Sequence, residues 1–570
     1  MKRKAKPVII AAGIIVILIF VMLVTALVKK YTPSKEKANL KDYFGIETQE
    51  EVAIIWNQEM MKDKAFVDNK HVYISYDFVR EHINSRFYFD KIENKLLYTT
   101  AETVITAQAA SSDYYIGNKK QAGEVGAIFK LDADHAYINI DFVKQYSNLI
   151  VKSFFNPNRI ILQTDLSEYQ SASILKDSEI RVKGGIKSPI LTQISKSQKV
   201  QILEKMDDWT KVATNKGFIG YVKNKVLGTP AKEQWKFTPV KENFTHVFKE
   251  NTICLAWHQV TNQTVNSYIG NILADIKGVN VISPTWFYLT DDSGNIANLS
   301  SLDYVNQCHE KGIEVWGLVS NIEQKVDTTS ILTRTSTREK LVNNLVAAAI
   351  EKDLDGLNVD MESLDPKAGE GYLQFIRELA LKCHKNDLVL SVDNYVPTDY
   401  TAFYNRKEQA QFADYIIIMA YDEHYAGSDE GSVSSISFVT NGIKDTLKEV
   451  PAKQTIVALP FYTRLWEVTS KTNEEGVEIS KDVKSQAYGM DSAQGIVNKS
   501  GVQTKWDDKS GQYYLEYQNS GKTYKMWQEE EKSLALKLEQ VKKNKLAGAA
   551  FWKLGFERDS IWDTIIKYVN

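Results

Sequence analysis

The alternation of apolar and polar positions divides the chain into stretches of different texture. The first is an uncharged run at residues 8–28, preceded by the basic head Met1-Lys2-Arg3-Lys4-Ala5-Lys6-Pro7. Wound as a helix, such a run is about 30 Å long, which matches a bilayer core. A cleaved signal peptide has a shorter apolar region, of about 7–15 residues. The pattern therefore predicts an uncleaved single-pass helix. Secretion after cleavage is the alternative, because Val24-Thr25-Ala26 would pass as a cleavage site. Lys29, Lys30, Lys35 and Lys37 offset the charge of the head. The compact basic head favours a cytoplasmic N-terminus with the bulk of the chain outside.

After a polar stretch comes an internal repeat. Tyr73-Ile74-Ser75-Tyr76-Asp77-Phe78-Val79-Arg80 matches Tyr137-Ile138-Asn139-Ile140-Asp141-Phe142-Val143-Lys144. At the same offset, Lys95-Leu96-Leu97-Tyr98-Thr99-Thr100 matches Arg159-Ile160-Ile161-Leu162-Gln163-Thr164. Each copy reads as a strand, a helix opening at Asp-Phe-Val and a closing strand. Two copies are too few for a solenoid and predict a pair of small α+β modules. From residue 178 to about 228 short strands and turns take over, at 179–182, 199–203, 209–212 and 217–222.

Beyond about residue 248 apolar strands alternate with helical segments such as 336–352 and 371–385. The strands fall at 252–257, 279–283, 314–319, 356–361, 388–392, 415–419, 455–459 and 547–552. Eight strands separated by helices predict a (β/α)8 TIM barrel. Between the seventh and eighth strands lies an insertion, 466–527, whose Asn519-Ser520-Gly521 reads as the turn of a hairpin. An insertion after a barrel strand would wall the catalytic face. The predicted architecture is thus multidomain. A basic tail and anchor (1–30) and a linker (31–60) lead into two tandem α+β repeats (61–170), which serve as a stalk or envelope module. An all-β domain (175–230) and the barrel with its small α+β insertion (245–570) follow.

Composition changes this picture little. Hydrophobic content of 43% and charged content of 25% are ordinary for folded domains, and the net charge of −2 gives no reason to expect nucleic acid. Cys254, Cys308 and Cys383 lack both a disulfide framework and metal-ligand spacing, and read as buried thiols. The 11 Trp and 29 Tyr suit either core packing or sugar-lined clefts. No Walker loop, zinc motif or nucleophile elbow is visible, and no cofactor or metal is called for.

The candidate chemistry lies on the fourth barrel strand, Leu354-Asp355-Gly356-Leu357-Asn358-Val359-Asp360-Met361-Glu362. Side chains on a strand alternate, so Asn358, Asp360 and Glu362 share one face and Val359 and Met361 the other. Two carboxylates and an amide on a buried strand are costly unless paired or used. Glu362 ends the strand at the catalytic rim. Asp360 lies about 7 Å back along it, better placed to tune Glu362 than to attack a sugar carbon.

The segment from Asp355 to Glu362 resembles the DGxDxDxE signature of glycoside hydrolase family 18, a substrate-assisted exception to two-carboxylate glycosidases. The resemblance implies that Glu362 protonates the glycosidic oxygen and that Asp360 orients the 2-acetamido group, whose oxygen attacks the anomeric carbon. Met419-Ala420-Tyr421-Asp422 resembles the family's MxYD, which implies a Tyr421 hydroxyl on the acetamido oxygen and an Asp422 that reaches the sugar. Ala549-Ala550-Phe551-Trp552 ends the eighth strand, where the family has a Trp beneath the sugar. Asn358 stands where the family has an Asp that shares a proton with the Asp two residues on. An amide can instead donate to Asp360. Asp360 should then ionise more readily, and its charge should raise the pKa of Glu362. Asn394, Tyr395, Trp286, Tyr288 and His258 are further candidates for the sugar-binding rim, with structural roles an equal alternative for Trp286, Tyr288 and His258.

The upstream repeats resemble the N-terminal domain of copper amine oxidases, a module also found without copper chemistry. The 175–230 region resembles bacterial Src-homology-3-like domains, which implies cell-wall peptide as a possible partner. Taken together, the resemblances imply a membrane-held hydrolase of β-1,4 bonds beside N-acetylglucosamine, in peptidoglycan or chitin-like glycan. A non-catalytic carbohydrate-binding barrel is the alternative.

Overall fold

The computed structural model describes residues 5–123, 126–472 and 478–569, which form two compact units. The second, residues 90–106 and 242–570, contains the barrel. Its strands are β1 (Ile253–His258), β2 (Val281–Pro284), β3 (Glu314–Ser320), β4 (Gly356–Asp360), β5 (Val389–Tyr395), β6 (Tyr415–Met419), β7 (Thr455–Pro460) and β8 (Gly548–Trp552). Each pairs in parallel with the next, and β8 returns to β1 through Ile253↔Gly548 to close the ring.

Period-two alternation sorts the side chains. Leu255, Trp257, Trp316, Val389, Ile417 and Ala458 pack inside the barrel. Leu357, Val359, Leu390, Val392, Ile416 and Ile418 face the surrounding helices. The insertion begins at Tyr462 and forms a five-stranded antiparallel sheet with the helix Met490–Ser500. Its hairpin pairs Asn519 with Lys522. The two turn residues, Ser520 and Gly521, both have positive φ (51° and 77°), the geometry that a two-residue turn needs to follow the strand twist.

Residues 90–106 were expected within the repeats but group with the barrel unit. The cause is local: Asp90 Oδ2 and Glu93 Oε1 accept the N–H groups of Thr335 and Ser336. These are unsatisfied donors at the start of the helix Thr335–Glu351.

In the first unit, the helix Ala5–Tyr31 is followed directly by folded chain. The expected linker at 31–60 does not exist as such. The Ser34 amide donates to Ile186 and Ala38 to Ile190, Leu40–Phe44 is helical, and Glu51–Trp56 is a strand. Burial explains this, since Phe44, Ile46, Ala53 and Ile55 pack into one core with Val200 and Val212 of the all-β region. The opening strands of the two repeat copies likewise share one seven-stranded sheet, which does not include the closing strand of the first copy, Lys95–Thr99. Strands His71–Ser75 and His135–Asn139 run antiparallel through Ile74↔Ile138, which are equivalent positions of the repeat. Ser75 and Asn139, also equivalent, cap the helices Tyr76–His82 and Ile140–Gln145.

Candidate active site

The inner face of β4 presents Asn358, then Asp360, with Glu362 just beyond the strand at the rim of the barrel. The backbone of Glu362 is clamped from the β3 side: its N–H donates to Asn321 Oδ1 at 2.9 Å, and Asn321 Nδ2 donates to its carbonyl at 3.0 Å. Its carboxylate accepts the Tyr395 hydroxyl at 2.9 Å. Burial pushes the Glu362 pKa up, Asp422 and Glu323 add to this, and the Tyr395 hydrogen bond opposes it. The upward shift agrees with expectation, but its cause is burial rather than the charge of Asp360.

Asp360 is buried, and its Oδ1 has no hydrogen-bond partner among the described residues. Its pKa is raised well above the usual carboxylate value, first by burial and then by Asp393, Glu362 and Glu323. The expectation of a readily ionised Asp360 is therefore corrected: a like-charged neighbour exists, and it stands on β5. The predicted fifth strand stopped at residue 392, whereas the observed one runs to Tyr395. This extension brings Asp393 onto the inner face. Continuing the alternation past Val389 and Ser391 would have found it.

Asn358 does not donate to Asp360. It is fully buried and its amide is used up: Nδ2 donates to Asp393 Oδ1 (2.8 Å) and Ser391 Oγ (3.0 Å), while Oδ1 accepts Trp257 Nε1 (2.8 Å) and Ser283 Oγ (3.1 Å). It lies beneath the site and cannot contact substrate. Asn394 also leaves the substrate set. It points outward, and its Nδ2 donates to Gln409 Oε1 at 2.8 Å. Trp286 is 0% exposed, with Nε1 on Asn266 Oδ1, so it is core rather than rim. His258 is buried against the Tyr304 hydroxyl at 2.9 Å, and burial lowers its pKa to about 4.

Met419 lies on the inner face of β6 in line with Tyr415 and Ile417. Tyr421 packs on the barrel interior, and burial and Asp360 keep its phenol protonated. Asp422 accepts the hydroxyl of Tyr462 at 2.6 Å, with Arg464 at 3.7 Å. Both partners come from the start of the insertion and carry no sequence signal beyond their place after β7. Trp552 is half-buried, with its ring centroid 5.9 Å from that of Trp257. A cavity of about 290 Å³ is lined by Tyr288, Ser320, Glu323, Asp360, Glu362 and Trp552, among others. The three cysteines are buried, and burial pushes the Cys254 and Cys308 thiols up to about 12.

A carboxyl whose pKa burial raises at the rim, a buried carboxyl pair below it and aromatic faces beside it suit proton donation to a leaving oxygen. Residues 289–557 match the glycosyl hydrolases family 18, residues 178–228 the bacterial SH3 domain, and residues 54–156 the copper amine oxidase N-terminal domain. Among curated proteins, the chain is 24% identical over 295 residues to the uncharacterized glycosylase YvbX of Bacillus subtilis, covering 49% of this chain and 81% of that one. It is 22% identical over 260 residues to a cortical fragment-lytic enzyme of Bacillus anthracis, covering 44% of this chain and 59% of that one. Among solved structures, the spore cortex-lytic enzyme SleL of Bacillus cereus superposes with a TM-score of 0.50 at 18% identity, covering 56% of this chain and 74% of that one.

Proposed function

We propose that this chain, whose residues 289–557 form a glycosyl hydrolase family 18 domain, is a membrane-anchored extracytoplasmic glycosidase. It cleaves β-1,4 bonds next to N-acetylglucosamine, with peptidoglycan as the glycan. The observation that carries this reading is the Glu362 carboxyl, raised in pKa by burial and hydrogen-bonded by Tyr395 at the mouth of the barrel. Glu362 acts as the acid and later as the base. Asp360 and Tyr421 hold the substrate's 2-acetamido group while its oxygen attacks the anomeric carbon, so that configuration is retained. Trp552 supports the sugar ring, and Met419 and Asp422 complete the subsite.

Anchoring is supported by the helix segment Ile9–Tyr31, which is long and apolar enough to cross a bilayer. Peptidoglycan is favoured over chitin because an anchored enzyme is held beside its own wall, and because relatives are described as cortex-lytic. The Src-homology-3-like region would add contacts to wall peptide.

The test uses the full chain in detergent, with purified peptidoglycan and chitin oligosaccharides as substrates and mass spectrometry of the products. The expected result is new reducing-end N-acetylglucosamine from peptidoglycan and its loss in Glu362→Gln. Unchanged release by that variant refutes the reading, and turnover of chitin alone refutes the choice of glycan.

A further inference from the structure

The carboxyl that position 358 lacks reappears one strand away. β4 and β5 pair in parallel through Asn358↔Ser391 and Val359↔Val392, so the next lateral neighbours are Asp360 and Asp393. Laterally adjacent residues on one face of a sheet sit about 4.8 Å apart. Both side chains point into the barrel, and both residues are under 10% exposed.

The hydrogen bonds of Asn358 fix the roles of the atoms. Trp257 Nε1 can only donate, so it requires the amide oxygen on its side. The amide nitrogen therefore faces Asp393 and Ser391. Asp393 Oδ1 accepts that N–H, which leaves Oδ2 as the oxygen free to carry or receive a proton. The buried Oδ1 of Asp360 has no partner among the described residues. Two carboxylates are both acceptors and cannot bond to each other until one is protonated. Two ionised carboxylates at this separation in a buried site are strongly disfavoured.

We propose that Asp360 and Asp393 hold one proton between them, with Asp393 as the positioning residue that sets the charge of Asp360 during the reaction. This rests on the hydrolase reading above. With the proton on Asp360, that side chain is neutral beside Glu362. As positive charge develops on the acetamido group, the O–H bond of Asp360 breaks and one forms on Asp393. Asp360 thereby becomes the anion facing the cation, and the pair keeps one negative charge throughout. The titratable groups that face Asp393 are Asp360, Glu362, Tyr372 and Tyr421, none of them a cation. Burial raises the pKa of Asp393 well above the usual carboxylate value, Glu362 adds to this, and the Asn358 hydrogen bond opposes it. Asn358 thus serves as a fixed spacer that orients the second carboxyl.

The test is kinetic, on the full chain in detergent with chitin oligosaccharides or peptidoglycan across pH. It compares the native chain with Asp393→Asn and with the double variant Asn358→Asp/Asp393→Asn, which returns a second carboxyl from position 358. Asp393→Asn should lower kcat at least about 10-fold with KM little changed, within the span of general acid–base effects. It should also move the acid limb to higher pH, because the first proton leaves the native pair more readily when the remaining O–H can donate to the new carboxylate than it leaves Asp360 alone. The double variant should recover most of kcat and return the limb toward its native position, which a merely structural role for Asp393 would not do. The proposal is overturned by an Asp393→Asn variant with native kcat and limb, or by a double variant no more active than the single. If either occurs while Glu362→Gln stays inactive, the hydrolase reading survives alone. A native chain inactive on both glycans overturns both.

Discussion

Replacing Tyr395 with Phe removes one oxygen, the donor to Glu362 Oε2. A hydrogen bond to an ionised group is worth about 1.5–3 kcal/mol. At 2.9 Å this one is slightly longer than the usual O–H···O distance, so the lower half of that range applies. At about 1.4 kcal/mol per pKa unit, Tyr395→Phe should raise the Glu362 pKa by about one unit. The sign follows from the bond's preference for the charged carboxylate: burial already raises this pKa, and the phenol holds it back. A general acid must be protonated to act, so activity disappears as pH rises through its pKa. The alkaline limb of kcat/KM should therefore move up by about one unit. At the optimum, kcat should fall by about 10-fold, because the acid is weaker and less well oriented. The assay is reducing-end release from chitin oligosaccharides or peptidoglycan between pH 4 and 10. An alkaline limb that stays in place, or moves to lower pH, would show that Tyr395 does not govern the ionisation of Glu362.

Two further outcomes follow from buried polar groups. Arg338, fully buried, donates to Glu378 at 3.0 Å. Glu378→Ala removes the carboxylate paired with that buried cation and should cost up to about 3–5 kcal/mol of stability, read as a lower denaturant midpoint with kcat intact in the remaining native protein. Asn394→Ala should cost about 1–3 kcal/mol through its lost bonds to Gln409 and leave KM unchanged. A raised KM with native stability would restore Asn394 to the sugar-binding set.

The features most legible in the sequence were those carried by period-two alternation. The facing of Asn358, Asp360 and Glu362 followed from Val359 and Met361 lying between them, and the barrel followed from spacing of apolar strands. Partnerships across strands were not legible. Nothing in the local pattern tells Asn358 to bond Asp393 rather than Asp360, because that choice depends on which amide atom Trp257 demands. Trp286 and Tyr395 are both aromatic residues near strand ends. Only the course of the backbone sends Trp286 into the core, against Tyr304, and Tyr395 to the Glu362 carboxylate. Tyr462 reaches Asp422 from forty residues downstream, a contact that depends on where the insertion leaves the barrel.

The edge pairing of residues 34–38 leaves little free chain between the N-terminal helix and the first folded unit. A free linker over 31–60 would behave as a random coil with an end-to-end distance of about 30 Å, and its fluctuations would let the first folded unit wander. Here the helix ends at Tyr31 and the Ser34 amide is already bonded to Ile186. Lys187 Nζ also holds the carbonyls of Lys29 and Thr32. Three residues span at most about 10 Å. The helix end and the first unit therefore move as one body, a rigid strut rather than a leash.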